Sequence, residues 1–400
     1  MADRKTRSRA QDGGQPHSRE EARRRHKKRA RLVMWRRLIV VVAIFVGVWA
    51  IWSNWDSLAP DKLLANMQDA IGDASGSYPV DVSGTDARSM ARSQNYTVLL
   101  SDSYLTYYND QGGEVTRYPC TYSSALMRTA GKYVLVAEQS GKRLLLSTRS
   151  MTLADMTMDY KILSADVNEK GQIAVLTQGA QGYAVELIVY DRKGAELYRR
   201  SRVSLASEVT LSPDGKTVAL LSVDAAGGVL STVVEVFSLS SSDPQAMYAY
   251  TASDTLLYRM EFLTNQKLLA VGEQGALIMS LKEDKPIEVA IGGQQLLGYA
   301  TAQDSVALIL RPLGSTDGGT VKVLNAAGEE CSRVVFVGEF RYLSAEGKRF
   351  LLLTDTTAQI IDKSGAGKAA DVEGDGQQAV LYGNNAVVLG LSTLQEYPLT

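Results

Sequence analysis

Histidine stops at His26 and tryptophan stops at Trp55 in this chain of 400 residues, so everything beyond residue 55 works without either side chain. The first absence removes Ser-His-Asp and Cys-His catalysis, and every imidazole-ligated metal, from that part. Cysteine is scarce too. Cys120 and Cys331 are the only two, about two hundred residues apart, so neither a CxxC metal knuckle nor a disulfide framework can be built from them. Two buried free thiols are expected instead.

What is present is unevenly spread. Of 43 basic and 44 acidic residues, 14 and 4 fall within residues 1–37, leaving 29 basic against 40 acidic beyond, so a strongly basic tail precedes a net-acidic remainder. The tail includes RRRHKKRAR at 23–31, which suits anionic lipid or, less specifically, nucleic acid; its plainest role is to set topology, and no specific nucleic-acid partner is expected.

Residues 38–52 read LIVVVAIFVGVWAIW, and with Ser53, Asn54 and Trp55 the run reaches about 18 residues, near the minimum for spanning a bilayer. Arg36 and Arg37 abut its amino-terminal side, which keeps the tail cytoplasmic and sends the rest across. Trp35, Trp49, Trp52 and Trp55 sit near the two ends, where indoles favour the headgroup zone. A cleaved signal would need small residues at the exit, whereas the exit carries Trp49, Ile51 and Trp52. The expected organisation is a disordered tail at 1–37, a signal anchor at 38–55, a juxtamembrane helix and linker at 56–77, and an extracytoplasmic domain at 78–400. The juxtamembrane helix is PDKLLANMQDAIG (60–72), with Leu63, Leu64, Met67 and Ile71 on one face.

Past Tyr78 the sequence turns to short apolar runs broken by Gly, Asn and Asp, an all-β pattern. One phrase recurs, a small polar or glycine turn followed by five or six apolar residues. It is clearest in LSPDGKTVALL (211–221), whose turn is Ser212, Pro213, Asp214, Gly215 and Lys216. Seven weaker copies bring the glycine slots to 94, 131, 171, 215, 266, 304, 347 and 384, a mean interval close to 41 residues, as one four-stranded propeller blade requires. The expected fold is therefore an eight-bladed β-propeller, or seven-bladed if one copy is spurious. The chain stops one strand after the last copy, so YPVDV (78–82) is expected to close the ring by pairing into the last blade.

SPDGKTVAL (212–220) resembles the repeats of WD40-like and TolB-type propellers. The basic tail and anchor, GSYPVDVSG (76–84), TVLLSDSYLTYYNDQGGEV (97–115) and ALMRTAGKYVLVAEQSGKRLLL (125–146) together resemble domain-of-unknown-function family 5711, single-pass membrane-anchored propeller proteins of Gram-positive bacteria. TYSSALMR stands where an S-N-P-type turn is expected, and AEQSGKR replaces a YD-x-G-G-type hairpin. The resemblance implies architecture and topology and brings no catalytic residues.

Other chemistries fail on particular residues. Tryptophan docking repeats of quinone-cofactor propellers are missing. SPDGKT lacks the Trp and glycine spacing of a sialidase Asp-box. DVEGDG (371–376) has a calcium-loop spacing of acids, yet Ala379 and Tyr382 cannot complete the coordination, and an acidic hairpin turn is expected. GAGKA (365–369) lacks the Ser or Thr of a phosphate loop. No metal, cofactor or enzymatic role is expected. The 19 tyrosines, including Tyr104, Tyr107, Tyr108, Tyr248 and Tyr250, suit strands with one wet end and can also anchor contacts. These features point to a binding or scaffolding module for an envelope protein or cell-wall polymer, touching lipid through one span, its oligomeric state open. The alternative is a carboxylate-dependent glycan hydrolase or lyase on the channel face.

Overall fold

The computed structural model describes residues 74–225, 228–241, 245–253 and 255–400. The basic tail, the span at 38–55 with Trp35, Arg36, Arg37, Trp49, Trp52 and Trp55, and the helix at 60–72 lie outside the described residues. Two compact units divide the chain, Met1–Gly72 and Asp73–Thr400, and the second is described here.

Eight four-stranded antiparallel sheets make up that unit, and no α-helix occurs among the described residues. Seven sheets are simple up-and-down meanders, at 87–119, 125–157, 162–202, 205–252, 257–290, 294–336 and 340–371. They are blades 1 to 7 in chain order. Blade 8 takes its first three strands from 378–398 and its fourth from Val80–Asp81, which pairs Val80 with Leu394 and Asp81 with Thr393. The ring is thus closed by the amino-terminal strand, as the count of strands required. The first strands of consecutive blades lie against one another all round the ring, so they form its inner wall.

Packing explains why the repeated phrase is continuously apolar rather than alternating. It forms the second strand of each blade, and both faces of that strand are covered by neighbouring blades. YVLVAE (Tyr133–Glu138) is buried at every position, whereas the outer strand ELYRRSR (Glu196–Arg202) has no buried residue. The core divides into eight clusters, one between each pair of consecutive blades. The closing cluster joins Val82, Leu389 and Leu394 to Met90, Leu99 and Tyr108 of blade 1.

Antiparallel order places the inner and outer hairpins at one end of the ring, the turn end. The loops between second and third strands, and the connections between blades, share the other, the linker end. Several inner hairpins use a left-handed residue at the first turn position, as at Gly131, Gly347 and, without glycine, Gln94 (φ 52°). In the last blade the left-handed residue is Gly383 rather than Asn384, because Tyr382 pairs with Asn385 around a two-residue turn.

Two further expectations change. Cys120 is buried, but Cys331 is exposed, because it lies near the start of the outer strand Glu330–Phe336, which has one blade face open to solvent. DVEGDG is not a hairpin: it leaves the outer strand Gly365–Asp371 and forms the connection from blade 7 to blade 8, where Asp375 accepts the Leu391 N–H at 3.1 Å. GAGKA is part of that same outer strand.

Candidate functional site

Polar side chains concentrate where the inner strands meet. Glu208, on the inner strand Leu205–Leu211 of blade 4, is buried, so its charge must be compensated in place. Arg259 of blade 5 donates from Nη1 to both carboxylate oxygens at 3.1 Å, Arg128 of blade 2 approaches to 3.5 Å, and Ser164 of blade 3 donates its hydroxyl at 3.3 Å. One carboxylate thereby ties four consecutive blades together.

Two other acids line the same wall. Asp166 Oδ2 accepts the Leu211 N–H at 2.8 Å and the Thr210 hydroxyl at 2.9 Å, both from the next blade. Burial pushes its carboxyl up to about 6, against the pull of the Leu211 N–H, Arg128 and Thr210. Glu261 of blade 5 accepts from Thr301 at 2.6 Å and Tyr299 at 3.2 Å, both of blade 6. Burial, and then the neighbouring Glu261, push the Tyr299 phenol well above its usual range. Arg128, Asp166, Glu208, Thr210 and Glu261 line one cavity of about 240 Å³. Among the described residues no group of His, Cys, Asp and Glu is placed to hold a metal ion.

Across the ring, Gln378 of blade 8 clamps blade 1 with both ends of its amide. Its Oε1 accepts the Met90 N–H at 2.8 Å and its Nε2 donates to the Arg88 carbonyl at 3.1 Å. The Arg92 guanidinium lies 4.7 Å from the centroid of the Tyr382 ring. Polar groups of the inner wall thus join one blade to the next, which leaves each of the three cavity carboxylates with partners already in place. None of these residues was singled out from the sequence. The signal was in the repeat: Ser164 with Glu208, Asp166 with Thr210 and Asn168 with Ser212 are each 44 residues apart, the interval between the third and fourth copies.

The repeat turn at Ser212–Lys216 follows the inner strand Leu205–Leu211 on the turn end and borders that cavity. Buried Ser212 donates to Asp214 Oδ1 at 2.8 Å, and its Oγ accepts the N–H groups of Lys216 and Thr217 at 3.2 and 3.0 Å. Gly215 holds φ 62° with the Gln172 side chain against it. The Asp214 N–H donates to Asn265 of blade 5, and Lys170 of blade 3 donates to the Asp214 carbonyl. Pro213 lines the 240 Å³ cavity, and Lys216 points outward beside Asp214 at 3.7 Å. This turn is a three-blade junction.

The two ends of the ring differ in surface chemistry. Of the exposed large apolar side chains among the described residues, all but Leu197, Met247 and Ile287 sit at or beside the linker end, among them Tyr104, Tyr160, Tyr183, Val203, Tyr258 and Val337. The turn end carries Lys132, Lys170, Lys348, Gln266 and Asn384 instead. A groove of about 400 Å³ opens at the linker end between blades 4 and 5. Of the tyrosine clusters, Tyr107, Tyr108 and Tyr248 are core residues, Tyr250 is half-buried at the edge of that groove, and Tyr104 is exposed.

The model described as "Family of unknown function (DUF5711)" matches residues 75–388. No curated protein matches the chain. Solved structures do. The crystal structure of BamB from Moraxella catarrhalis is 14% identical over 79% of this chain and 99% of that one, with a TM-score of 0.46. Hydrazine synthase of Kuenenia stuttgartiensis is 11% identical over 82% and 100%, with a TM-score of 0.44. The dihydro-heme d1 dehydrogenase NirN, in complex with DHE, is 15% identical over 78% and 72%, with a TM-score of 0.54, a likeness of fold alone.

Proposed function

This chain belongs to the family of unknown function DUF5711, and from that premise we propose that it is a binding or scaffolding module, held outside the cell membrane by one span at 38–55, that engages an envelope protein through the linker end of its propeller. The observation that carries the reading is the asymmetry of the ring: exposed Tyr, Val and Leu gather at one end and polar turns occupy the other. Monomeric surfaces seldom concentrate apolar side chains on one face without a partner for them, and tyrosine supplies large contact area with a polar tip.

A second reading, a carboxylate-dependent glycan hydrolase or lyase in the channel, is favoured by Asp166, Glu208 and Glu261 lining one cavity, with Asp166 raised to about 6. Against it, each of the three already accepts hydrogen bonds from the next blade, and Glu208 is held by two arginines.

Photo-crosslinking in cells decides between them, with the full chain carrying a photoreactive residue at Tyr183, Val203 or Leu313 of the linker end, or at Lys132 or Lys348 of the turn end. One envelope protein recovered reproducibly from the linker-end positions and not from the turn-end ones is the expected result. Recovery of cell-wall glycan alone, or of nothing, overturns the reading and directs attention to glycan cleavage by the Asp166→Asn and Glu261→Gln variants.

A further inference from the structure

The groove between blades 4 and 5 has small and aliphatic side chains in its walls, Ala252 from the outer strand of blade 4 and Leu257, Leu277 and Ala290 from blade 5, while the alternating Ala276 and Val289 pack on the blade 6 side. Blade 5 turns between its second and third strands with only Glu273 and Gln274, whereas residues 313–318 make that connection in blade 6. At the foot of that turn Gly275 has φ 143° and lies so close to the Val289 carbonyl that a Cβ would collide with it. Backbone therefore packs on backbone, and the space above stays open. Its volume of about 400 Å³ falls near the lower end of ligand pockets, which run roughly 300–1,000 Å³.

The charge at the groove has one sign. Glu288 is in the lining, Glu273 sits on the turn beside it, and both are exposed. Among the described residues neither forms an ion pair, and the lining contains no Lys or Arg. Apart from Tyr250 at one edge there is no flat ring on which a sugar could stack, and no cation for an acidic headgroup.

Resting on the binding reading, we infer that this groove receives an extended segment of a partner protein that inserts one bulky aliphatic or aromatic side chain between blades 4 and 5 and sets a Lys or Arg against Glu273 and Glu288. A buried anchor within a desolvated pocket, ringed by polar contacts, carries most of the energy of such interfaces. The opposite charges guide its approach and fix its register.

The test uses the full chain in detergent micelles and a phage-displayed library of random heptapeptides as the probe. Enriched peptides are expected to pair a bulky apolar residue with a nearby Lys or Arg. They should lose about tenfold or more in affinity for the Glu273→Lys/Glu288→Lys double variant, and likewise for Ala290→Leu, which narrows the groove from its exposed side. Because Glu273, Glu288 and Ala290 are all exposed, the charge variant and the steric variant each leave the core untouched, and either one keeps the test valid. No enrichment, enrichment of acidic peptides, or binders indifferent to both variants overturns the groove assignment. The binding reading then still stands or falls on crosslinking from the other linker-end positions.

Discussion

Asp166 is the residue at which the ring's construction and its pH response meet. Its carboxylate accepts hydrogen bonds from blade 4, yet burial raises its pKa from 3.8 to about 6. A raised carboxyl favours the protonated form in the folded state. Its stabilising contribution is therefore complete below pH 3.8 and lost as pH rises through about 6. Near pH 7.5 the charged form costs on the order of 3 kcal/mol relative to the protonated one. Asp166→Asn keeps an acceptor oxygen for the Leu211 N–H and removes the charge. Urea denaturation of this variant should show higher stability than the parent at pH 7.5 and little difference at pH 4; lower stability at pH 7.5 would mean that the Arg128 attraction outweighs burial. Glu138 acts in the opposite sense. Arg143 donates to both of its oxygens at 3.1 Å and holds the carboxyl down to about 2, so that contribution is present above pH 4.5 and fades as pH falls toward 2.

At the scale of the element, the inner hairpin of blade 4 combines a serine whose hydroxyl closes the loop with a left-handed glycine. Ser212→Ala leaves the Thr217 N–H without the Oγ that accepts it at 3.0 Å, and should cost about 1–3 kcal/mol. Gly215→Ala should cost more than Gly347→Ala. Both hold positive φ, worth about 1 kcal/mol of strain for alanine, but a Cβ at Gly347 meets nothing within 4 Å, whereas one at Gly215 meets the Gln172 side chain. Chemical denaturation of the three variants checks the order, and equal costs at the two glycines would show that Gln172 swings aside freely. This hairpin was the most legible element in the chain, because turn residues and a fully buried strand both leave local marks. The repeated strands, their third-strand partners and the spacing of blades were legible for the same reason. The acid-rich DVEGDG segment was misread, since a turn-forming composition is the same whether the next strand returns beside the last or departs for the next blade. The exposure of Cys331 was hidden because an outer strand's open face depends on its neighbours. So were Glu208, Arg128 and Arg259, whose meeting spans three blades and follows from the ring's curvature rather than from any local pattern.

For the molecule as a whole, stability turns on closing the ring, and that closure was readable from a strand count alone: one strand too few at the carboxyl end and one too many at the start of the domain. Only two residue pairs join Val80–Asp81 to blade 8, yet Val82 is buried in the closing cluster, and Tyr78 and Val80 pack against it. Deleting residues 74–82 from the full chain removes those side chains and exposes the outer edge of Thr393–Pro398, an unpaired strand at a seam. The loss should be roughly 3–6 kcal/mol from buried apolar surface, accompanied by self-association. Gln378→Ala opens the same seam from inside. It leaves the Met90 N–H without its acceptor and should cost about 1–3 kcal/mol while the outer strand still pairs. If the ring closes as one cooperative unit, combining the two changes should cost less than the sum of each alone, because once the outer strand is gone the inner clamp holds an already open seam. Denaturant midpoints of the parent, both single changes and the combination measure that coupling, and strict additivity would show that the two halves of the seam close independently.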